Sequence, residues 1–286
     1  MICKCCGKEF RPKTTQHRVL CGDATKQEDV DRLMGGAKAD MVFTDPPYNV
    51  NYGATMKDKV RGNDRKIAND NLGEGFEKFL RAACGTILAS VNGAVYICMS
   101  SSELHTLEKA FREAGGHWST FVMWIKNTFT MGRADYQRQY EPILYGWKEG
   151  NEHFWCGARD QGDVWFVDKP HVNDLHPTMK PVELVERAVV NSSNSGQIVL
   201  DPFGGSGSTL MACERTSRIA RLMELAPEYV DVIVQRWQNA TGRKARLEGH
   251  GATFEHVKHG RQLGKEDHDK DDALRILEER AGVAAT

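Results

Sequence analysis

The sequence of 286 residues lacks several features that would place it in a special class of protein. It has no run of about 18 apolar residues, so no membrane span is predicted. Its first ten residues, MICKCCGKEF, are polar and rich in cysteine, which does not fit a secretory signal peptide. The formal net charge is only −1, so no overall basic surplus indicates nucleic-acid binding, although a local basic patch is compatible with it. No internal repeat is present.

The hydrophobic content of 40% is sufficient for a sizeable core, and we expect one large α/β domain rather than two small ones. Eight cysteines without a signal peptide predict reduced thiols and a cytoplasmic protein. Cys3 and Cys6 have the spacing of half a zinc knuckle, and His17 with Cys21 could supply the other half. We expect no metal and a free-thiol arm, because Cys21 also belongs to a motif described below.

Apolar segments with strand and helix periods alternate along the chain, which predicts a doubly wound α/β sheet. We expect a cysteine-rich arm over residues 1–16, one domain over 17–257 and a charged tail over 258–286 with a short helix at 271–280. The predicted strands are 17–20, 40–44, 93–99, 118–125, 141–147, 197–200 and 218–223, and the predicted helices are 76–88, 103–114, 181–190, 208–215 and 227–241.

The stretch FTDPPYNV places an acid, two prolines and an aromatic directly after the predicted strand 40–44. Proline fixes φ and removes the backbone donor, so Pro46 and Pro47 form a stiff corner whose carbonyls point outward. Asp45 and Tyr48 flank this corner. Taken alone, the motif is more typical of an ordinary turn that ends a strand, and only the rest of the chain can give it a functional meaning.

The stretch IVLDPFGGSGSTLMACE reads as a strand, a glycine-rich turn and a helix. Glycines in the turn allow a ligand to approach the backbone, and the helix N-terminus offers free N–H groups, which suits a nucleotide-type ligand. Glu224 ends the next strand, where an acid can accept hydrogen bonds from a ribose. Asp201 opens the loop and would oppose a pyrophosphate, so a cationic ligand end such as the methionine amino group of S-adenosylmethionine fits better than NAD.

Four motifs in this order, TDPPYNV, HPTMKP (176–181), DPFGGSGST and the acid at Glu224, resemble the beta group of DNA amino-methyltransferases. CGDAT (21–25) is similar to the segment that precedes the catalytic motif in that family, and the resemblance extends from His17 to Leu247. It implies a Rossmann-like S-adenosylmethionine-dependent methyltransferase with a mixed sheet and a circularly permuted motif order. It also implies methylation of the exocyclic amine of adenine or cytosine in double-stranded DNA.

The resemblance assigns roles to individual residues of this chain. Asp23 would bind the cofactor adenine, Glu224 the ribose, and Thr178 and Lys180 would lie near the methionine carboxylate. The methionine moiety would be held by Asp201, Phe203, Gly204, Gly205 and Gly207. The target-base pocket would be formed by Asp45, Pro46, Pro47 and Tyr48.

The chemistry of such a pocket explains its residue types. A target base must leave the duplex stack, and the Tyr48 ring can stack on it. Asp45 and the Pro46 carbonyl can accept the two N–H bonds of the amine, so positioning and electrostatics supply most of the catalysis. No protein nucleophile is needed, and the chain contains no Pro-Cys dipeptide of the kind that enzymes methylating carbon 5 of cytosine use.

We predict the N6 amine of adenine as the acceptor, because cytosine-N4 enzymes of the group mostly carry serine at the position of Asp45. The alternatives are cytosine-N4, RNA or a protein side chain, or an idle DNA-binding accessory protein. The segment available for target recognition, residues 148–175, is short, which predicts relaxed specificity. A homodimer and a partner restriction nuclease are compatible with this reading. The expected DNA-binding residues are Lys57, Lys59, Arg61, Arg65, Lys66, Arg133 and Arg138.

Overall fold

The computed structural model describes residues 17–51, 67–131, 135–169 and 179–260. The strands are β1 (Arg18–Cys21), β2 (Ala39–Thr44), β3 (Val91–Cys98), β4 (Gly116–Thr130), β5 (Arg138–Lys148), β6 (Val164–Phe166), β7 (Ile198–Asp201) and β8 (Ile219–Glu224). The helices are α1 (Gln27–Met34), α2 (Phe76–Ser90), α3 (Leu104–Glu113), α4 (Val182–Ser192), α5 (Ser208–Thr216) and α6 (Pro227–Thr241), with a 3-10 turn at Gly73–Gly75 before α2.

The described residues fall into two compact units, one up to Ile233 and one from Val234. All eight strands belong to the first unit. In the second unit, the Gln238 side chain donates to Glu255 and accepts from the backbone N–H of Ala245. Among the described residues, no helix is both long enough and apolar enough to cross a lipid bilayer.

One mixed sheet organises the first unit, in the strand order β1-β8-β7-β2-β3-β5-β4-β6. The pairs from β1 to β3 are parallel, β5 lies antiparallel to both β3 and β4, and β6 adds parallel to β4 at the edge. The parallel strands therefore share one carboxyl edge, where their following loops meet. The predicted mixed α/β sheet is confirmed.

Helices cover both faces of the central strands. On one face, Val42 and Val95 join a buried cluster with Leu80 of α2 and other side chains of α1, α2 and α3. On the other face, the Tyr96 ring stacks on Phe43 and its hydroxyl forms a 2.8 Å hydrogen bond with Ser192 Oγ of α4. This two-sided burial explains why β2 and β3 are continuously apolar rather than alternating.

Close packing within the sheet requires glycine at one position of β3. A Cβ atom on Gly93 would lie 1.9 Å from the Asp40 carbonyl oxygen of β2, a distance that only a shift of the strand could relieve. The prediction that residues 93–99 form a strand is confirmed, and the strand begins two residues earlier at Val91.

The sequence prediction missed two elements. Helix α1 has only two turns, and two charged residues separate its buried Val30 from Leu33 and Met34. The segment is therefore too short to show a clear helical period. Residues 148–175 were expected to be irregular, which is wrong for β6: Trp165 is buried there and pairs with Trp124 of β4. This pairing joins residues about forty positions apart, so no local sequence pattern predicts it. The predicted helix 271–280 and the arm 1–16 lie outside the described residues.

Candidate active site

The carboxyl ends of β2 and β7 are joined by a buried carboxylate. Thr44 Oγ1, at the end of β2, donates to Asp201 Oδ1 at 2.8 Å, and Thr209 Oγ1 of α5 donates to Asp201 Oδ2 at 2.6 Å. The backbone N–H of Phe203 adds a third bond to Oδ1 at 3.1 Å. Burial raises the pKa of Asp201 to about 7, although the three donors favour its charged form. Asp201 thus fixes the glycine loop against the strand that leads into DPPY.

The glycine loop folds back onto the end of β8. The backbone N–H of Gly204 donates to the Met223 carbonyl at 2.7 Å, and that of Gly205 donates to Glu224 Oε2 at 2.9 Å. The other Glu224 oxygen accepts from the Ala226 N–H at 3.0 Å. Burial raises the pKa of Glu224, while these backbone bonds act in the opposite direction. One lone pair of each oxygen is used in this way, so the carboxylate keeps acceptor capacity toward the loop's open side.

The end of β1 lies beside Glu224. The Gly22 N–H donates to the Glu224 carbonyl at 3.0 Å, and Asp23 follows directly. Asp23 Oδ1 accepts from the N–H and the hydroxyl of Thr25, at 2.9 and 2.7 Å. The CGDAT segment is therefore a tight turn that presents a second carboxylate next to the glycine loop.

A second loop holds the DPPY segment in place. Asp70 Oδ1 accepts from the backbone N–H groups of Tyr48 and Val50, at 3.0 and 3.3 Å. Asn49 adopts a left-handed conformation with φ of 59°, which its short polar side chain tolerates, and its Oδ1 accepts from the N–H of Leu72 and Gly73. Within the described part of the chain, no donor bonds to the Pro46 or Pro47 carbonyl. The corner predicted from the two prolines thus offers free acceptors.

Four charged side chains, of which Asp45 is one, and the phenol of Tyr48 form a cluster. The Lys180 ammonium donates to Asp45 Oδ2 at 2.6 Å and to Glu141 Oε1 at 2.7 Å. Lys126 Nζ donates to Glu141 Oε2 at 2.8 Å. The Tyr48 hydroxyl lies 2.5 Å from both Asp45 Oδ1 and Glu141 Oε1. Two carboxylates and two ammonium groups make this cluster electrically neutral.

Burial and charge give the members of the cluster different pKa values. Burial raises the pKa of Asp45, with a further increase from Glu141, although the Lys180 charge opposes both. For Glu141, burial is outweighed by Lys180 and Lys126, which hold its pKa at about 2. Burial together with the two carboxylates raises the pKa of Tyr48. The Lys180 pKa is raised because both carboxylates outweigh its desolvation. Glu141 and Lys180 therefore form a permanent ion pair next to Asp45.

One cavity connects these features along the carboxyl edge of the sheet. The DPPY segment, the glycine loop and the ends of β1 and β8 form its walls. Phe79 of α2 also lines it and packs edge-on against Phe203 at 5.9 Å between ring centroids. Its lining includes these predicted site residues: Asp23, Asp45, Pro46, Pro47, Tyr48, Lys180, Asp201, Phe203, Gly204, Gly205 and Glu224.

Comparison with protein families matches residues 39–235 to the DNA methylase family. The chain belongs to this family and is a DNA methyltransferase. The recognition made from DPPY, the glycine loop and HPTMKP is confirmed. S-adenosylmethionine is its cofactor, as expected. The cavity fits that molecule, because it is lined by Gly204 and Gly205 and by the Asp23 and Glu224 carboxylates, which suit a nucleoside with hydroxyl groups and a positively charged centre.

Two relatives resemble this methyltransferase over most of their length. Type II methyltransferase M.HpaI of Haemophilus parainfluenzae is 26% identical over 249 residues, which cover 77% of this chain and 73% of that protein. DNA adenine methyltransferase YhdJ of Escherichia coli (strain K12) is 26% identical over 252 residues, which cover 76% of this chain and 81% of YhdJ.

Solved structures share the fold. M1.HpyAVI in its SAM complex superposes with a TM-score of 0.58 at 22% identity, over 77% of this chain and 100% of that one. The cytosine-N4-specific PvuII DNA methyltransferase gives a TM-score of 0.60 at 16% identity, over 77% of this chain and 86% of that one. At these identities the likeness shows the fold alone, and it confirms the predicted Rossmann-like methyltransferase class.

The structure gives further detail on three predicted residues. Lys180, expected near the cofactor carboxylate, lines the cavity, and its ammonium contacts Asp45 and Glu141. Gly207 directly precedes α5 with φ of 78°, and a Cβ there would lie 3.1 Å from Ile233 Cγ2, so its left-handed backbone already favours glycine. Arg138 is exposed at the start of β5 and lies 3.4 Å from Ser100 Oγ. Outside the described residues lie Thr178, Lys57, Lys59, Arg61, Arg65, Lys66 and Arg133.

Sequence reasoning missed Glu141, Lys126 and Asp70. Glu141 is a charged residue at the start of an otherwise apolar strand, YEPILYGW, and a buried acid in that position is the one local signal that could have marked it. Asp70 lies in a polar stretch of the sequence, and Lys126 follows the apolar run FVMWI as an ordinary charged residue at the end of a strand would, so neither carries such a signal. Their roles depend on contacts with residues 15 and 22 positions away.

His17, considered above as a zinc ligand, uses both ring nitrogens within the fold. Its Nδ1 accepts from the Ala220 N–H at 2.9 Å, so Nε2 carries the proton and donates to Glu214 Oε2 at 3.0 Å. These bonds join the first strand to β8 and α5. Cys3 and Cys6, the other half of the considered zinc site, lie outside the described residues, and the metal-free arm stays a prediction.

Proposed function

We propose that this methyltransferase transfers the methyl group of S-adenosylmethionine to the N6 amine of adenine in double-stranded DNA. The observation that carries the proposal is the Asp45 carboxylate, which lines the cavity beside the free Pro46 carbonyl. Serine would be expected at this position in a cytosine-N4 enzyme. The similarity to YhdJ, by name a DNA adenine methyltransferase, supports the same acceptor.

The residues at one end of the cavity would hold the cofactor. Asp23 would accept from its adenine amine, and the Glu224 oxygens would accept from the ribose hydroxyls with the lone pairs that Gly205 and Ala226 leave free. The Gly204–Gly205 backbone allows the methionine part to approach closely. When bound, the cofactor supplies a methyl group already activated by a sulfonium. Asp201 would act mainly by fixing the loop, because its two oxygens already accept three hydrogen bonds. The expected position of Thr178 near the methionine carboxylate stays a prediction.

The DPPY residues would act on the target amine by orientation. The amine nitrogen is a weak nucleophile because its lone pair is delocalised into the ring. Acceptance of its two N–H bonds by Asp45 and the Pro46 carbonyl turns the lone pair out of the ring plane, toward the cofactor side of the cavity. The Tyr48 ring, with Lys180 Nζ 5.1 Å from its centroid, would support a base that has left the duplex stack.

Exposed aromatic and basic side chains lie at the same edge of the sheet. The ends of β4 and β5 nearest the cavity carry Phe129 and Tyr140, and Tyr136, which is 92% exposed, lies between the two strands. Arg138 lies between the two tyrosines in sequence. We infer that this edge contacts the duplex, with Arg138 on a phosphate and the exposed rings against the unpaired strand. The five basic residues between positions 57 and 66 and Arg133 stay predictions as further phosphate contacts.

Mass spectrometry of nucleosides from methylated duplex DNA tests the assignment of the base. Purified protein, labelled cofactor and a mixed-sequence DNA duplex should yield N6-methyl-2′-deoxyadenosine as the main product, with N4-methyl-2′-deoxycytidine formed slowly. RNA and bulk protein in parallel reactions should acquire no label. Mostly N4-methyl-2′-deoxycytidine would show that the base is wrong, while labelling of RNA or protein alone would show that the polymer is wrong. A homodimer and a partner nuclease stay predictions.

A further inference from the structure

We propose that Glu141, at the start of β5, is a positioning residue that prepares Asp45 to receive the proton which the methylated amine must lose. This inference rests on the proposed function and deepens it. Glu141 does not line the cavity, whereas Asp45 and Tyr48 do. Glu141 therefore acts on the reaction through its contacts with Tyr48 and Lys180 and through its negative charge beside Asp45.

The hydroxyl of Tyr48 has more close acceptors than protons. It lies 2.5 Å from Asp45 Oδ1 and 2.5 Å from Glu141 Oε1, but a phenol carries one proton. While both carboxylates are charged, only one of the two contacts is a hydrogen bond. When Asp45 gains a proton, Asp45 donates to Tyr48 and Tyr48 donates to Glu141, so both contacts become hydrogen bonds. The arrangement thus stabilises Asp45 in its protonated form.

The positive charges around Glu141 decide which carboxylate takes the proton. Lys126 and Lys180 both bind Glu141, and their charges keep its pKa at about 2. Asp45 shares only Lys180, and its pKa is raised by burial and by the negative charge of Glu141. Among the described residues, the neighbours of the cluster also include Cys98 of β3, whose thiol pKa is raised by burial, and Asp201 of β7, whose oxygens accept from Thr44, Thr209 and the Phe203 N–H rather than from the cluster. Between Glu141 and Asp45, a proton that enters the cluster therefore settles on Asp45.

The proton balance of the reaction requires such an acceptor. The amine lone pair forms the bond to the methyl carbon, and the carbon–sulfur bond breaks with its electron pair kept by sulfur. The nitrogen then has a positive charge and loses one proton, which passes to an Asp45 oxygen. Glu141, Tyr48 and the two lysines exchange no atoms with the base. Release of the proton from Asp45 to solvent after product departure restores the starting state.

The same cluster has a second chemical reading, as a metal site. Ligand atoms of Asp45, Cys98 and Glu141 lie within 4.8 Å of one another. However, the ammonium groups of Lys126 and Lys180 already occupy three of the four carboxylate oxygens and supply two positive charges. The two lysine charges already balance the two carboxylates without a metal ion, and the proton-accepting role involves all four of these side chains.

The decisive comparison is between Glu141→Gln and Lys126→Gln, with Glu149→Gln as the matched control. Glu149 lies just after β5, where it is exposed, and among the described residues its carboxylate contacts only His117. Glu141→Gln removes a negative charge beside Asp45, so the acid limb of the single-turnover rate against pH should move down by roughly one pH unit. Lys126→Gln removes a positive charge from the cluster and should move the limb up. The rate at neutral pH should fall by about 10- to 100-fold in Glu141→Gln.

Titration of the Asp45 carboxyl carbon by NMR gives a readout independent of turnover. Protein labelled with 13C-aspartate and free of cofactor is titrated, and the Asp45 signal is identified by its loss in Asp45→Asn. Opposite displacements of the Asp45 midpoint in Glu141→Gln and Lys126→Gln, with none in Glu149→Gln, would support the inference, since general damage to the fold does not reverse sign.

An Asp45 midpoint and an acid limb that both stay unchanged in Glu141→Gln would overturn the inference. Should that variant not fold, Glu141→Asp keeps the charge, and a shift in the Lys126→Gln titration still decides. A wild-type protein that methylates no nucleic acid would instead overturn the proposed function. The two failures are therefore distinguishable.

Discussion

The Thr44 hydroxyl at the end of β2 donates a hydrogen bond to the Asp201 carboxylate at the end of β7. The Oγ1–Oδ1 distance is 2.8 Å, and the two residues are 157 positions apart in sequence. This bond joins the segment proposed to act on the base to the loop proposed to hold the cofactor. Both residues are buried, at 0% and 4% exposure. This hydrogen bond therefore links the two halves of the site where the paired strands β2 and β7 end, at the carboxyl edge of the sheet.

Replacement of Thr44 by valine should weaken both halves of the site. The change keeps the shape of the side chain but leaves one buried Asp201 oxygen with one donor fewer, which costs about 1–3 kcal/mol of folding free energy. Urea unfolding measures this loss, and calorimetry should show weaker cofactor binding in the same preparation. Thr120→Val, on β4 and partly exposed, is the matched control and should change neither value. Normal stability in Thr44→Val would show that the bond is dispensable.

Cofactor affinity should depend on Glu224. Glu224→Ala removes the proposed acceptor for the ribose and also releases the Gly205 and Ala226 N–H groups, so binding of S-adenosylmethionine should weaken by about 1–3 kcal/mol. Asp201→Ala should have a similar effect through the loop. Calorimetry measures the S-adenosylmethionine affinity of both variants. Unchanged affinity in both would show that the cofactor site is assigned wrongly.

Acid stability should reflect Glu141. Its pKa of about 2 in the folded protein lies below the ordinary value of 4.5. The charged form of Glu141 therefore stabilises the fold at pH values above 4.5. That contribution, up to about 3 kcal/mol, is lost as the pH falls from 4.5 toward 2. Urea unfolding as a function of pH should therefore show a smaller drop in this window for Glu141→Gln than for the wild type. An equally steep drop in the variant would show that the ion pairs of Glu141 contribute nothing.

The recognition sequence should be short. Each bidentate contact to a base edge contributes about 1–3 kcal/mol of discrimination, and specific readout needs several of them. Residues 148–169 of the expected recognition segment are partly used by the fold, since Trp165 is buried in the sheet and Gln161 forms two hydrogen bonds with Asn191. Sequencing of modified DNA from cells that produce the protein should reveal a motif of a few base pairs. A strict motif of about six base pairs would be incompatible with this expectation.

The motifs predicted the family and the cofactor because their chemistry depends on residues close in sequence. DPPY after a strand and glycines before a helix each define a local geometry, and both loops follow the strands predicted to precede them, β2 and β7. The mixed sheet followed from the resemblance, while its edge strand β6 and the helix α1 did not follow from any local pattern.

The charged cluster around Asp45 could not be predicted in the same way. Glu141 and Lys126 reach the site because β5 runs antiparallel between β3 and β4, which brings the start of β5 to the carboxyl edge of the parallel strands. Lys180 was recognised as a site residue, but its partners depend on this strand order. Pairing of side chains from three distant segments is a property of the folded sheet rather than of a motif.

Methyl transfer by Asp45→Ala tests whether the Asp45 carboxylate orients the target amine. Wild-type protein and the variant are compared in single turnovers with labelled S-adenosylmethionine and duplex DNA, with cofactor and DNA affinity measured on the same samples. We expect the variant to bind the cofactor and DNA like the wild type but to transfer no measurable methyl group to the base amine. Transfer by Asp45→Ala at the wild-type rate would show that another part of the molecule orients the amine and that the role assigned to Asp45 is wrong.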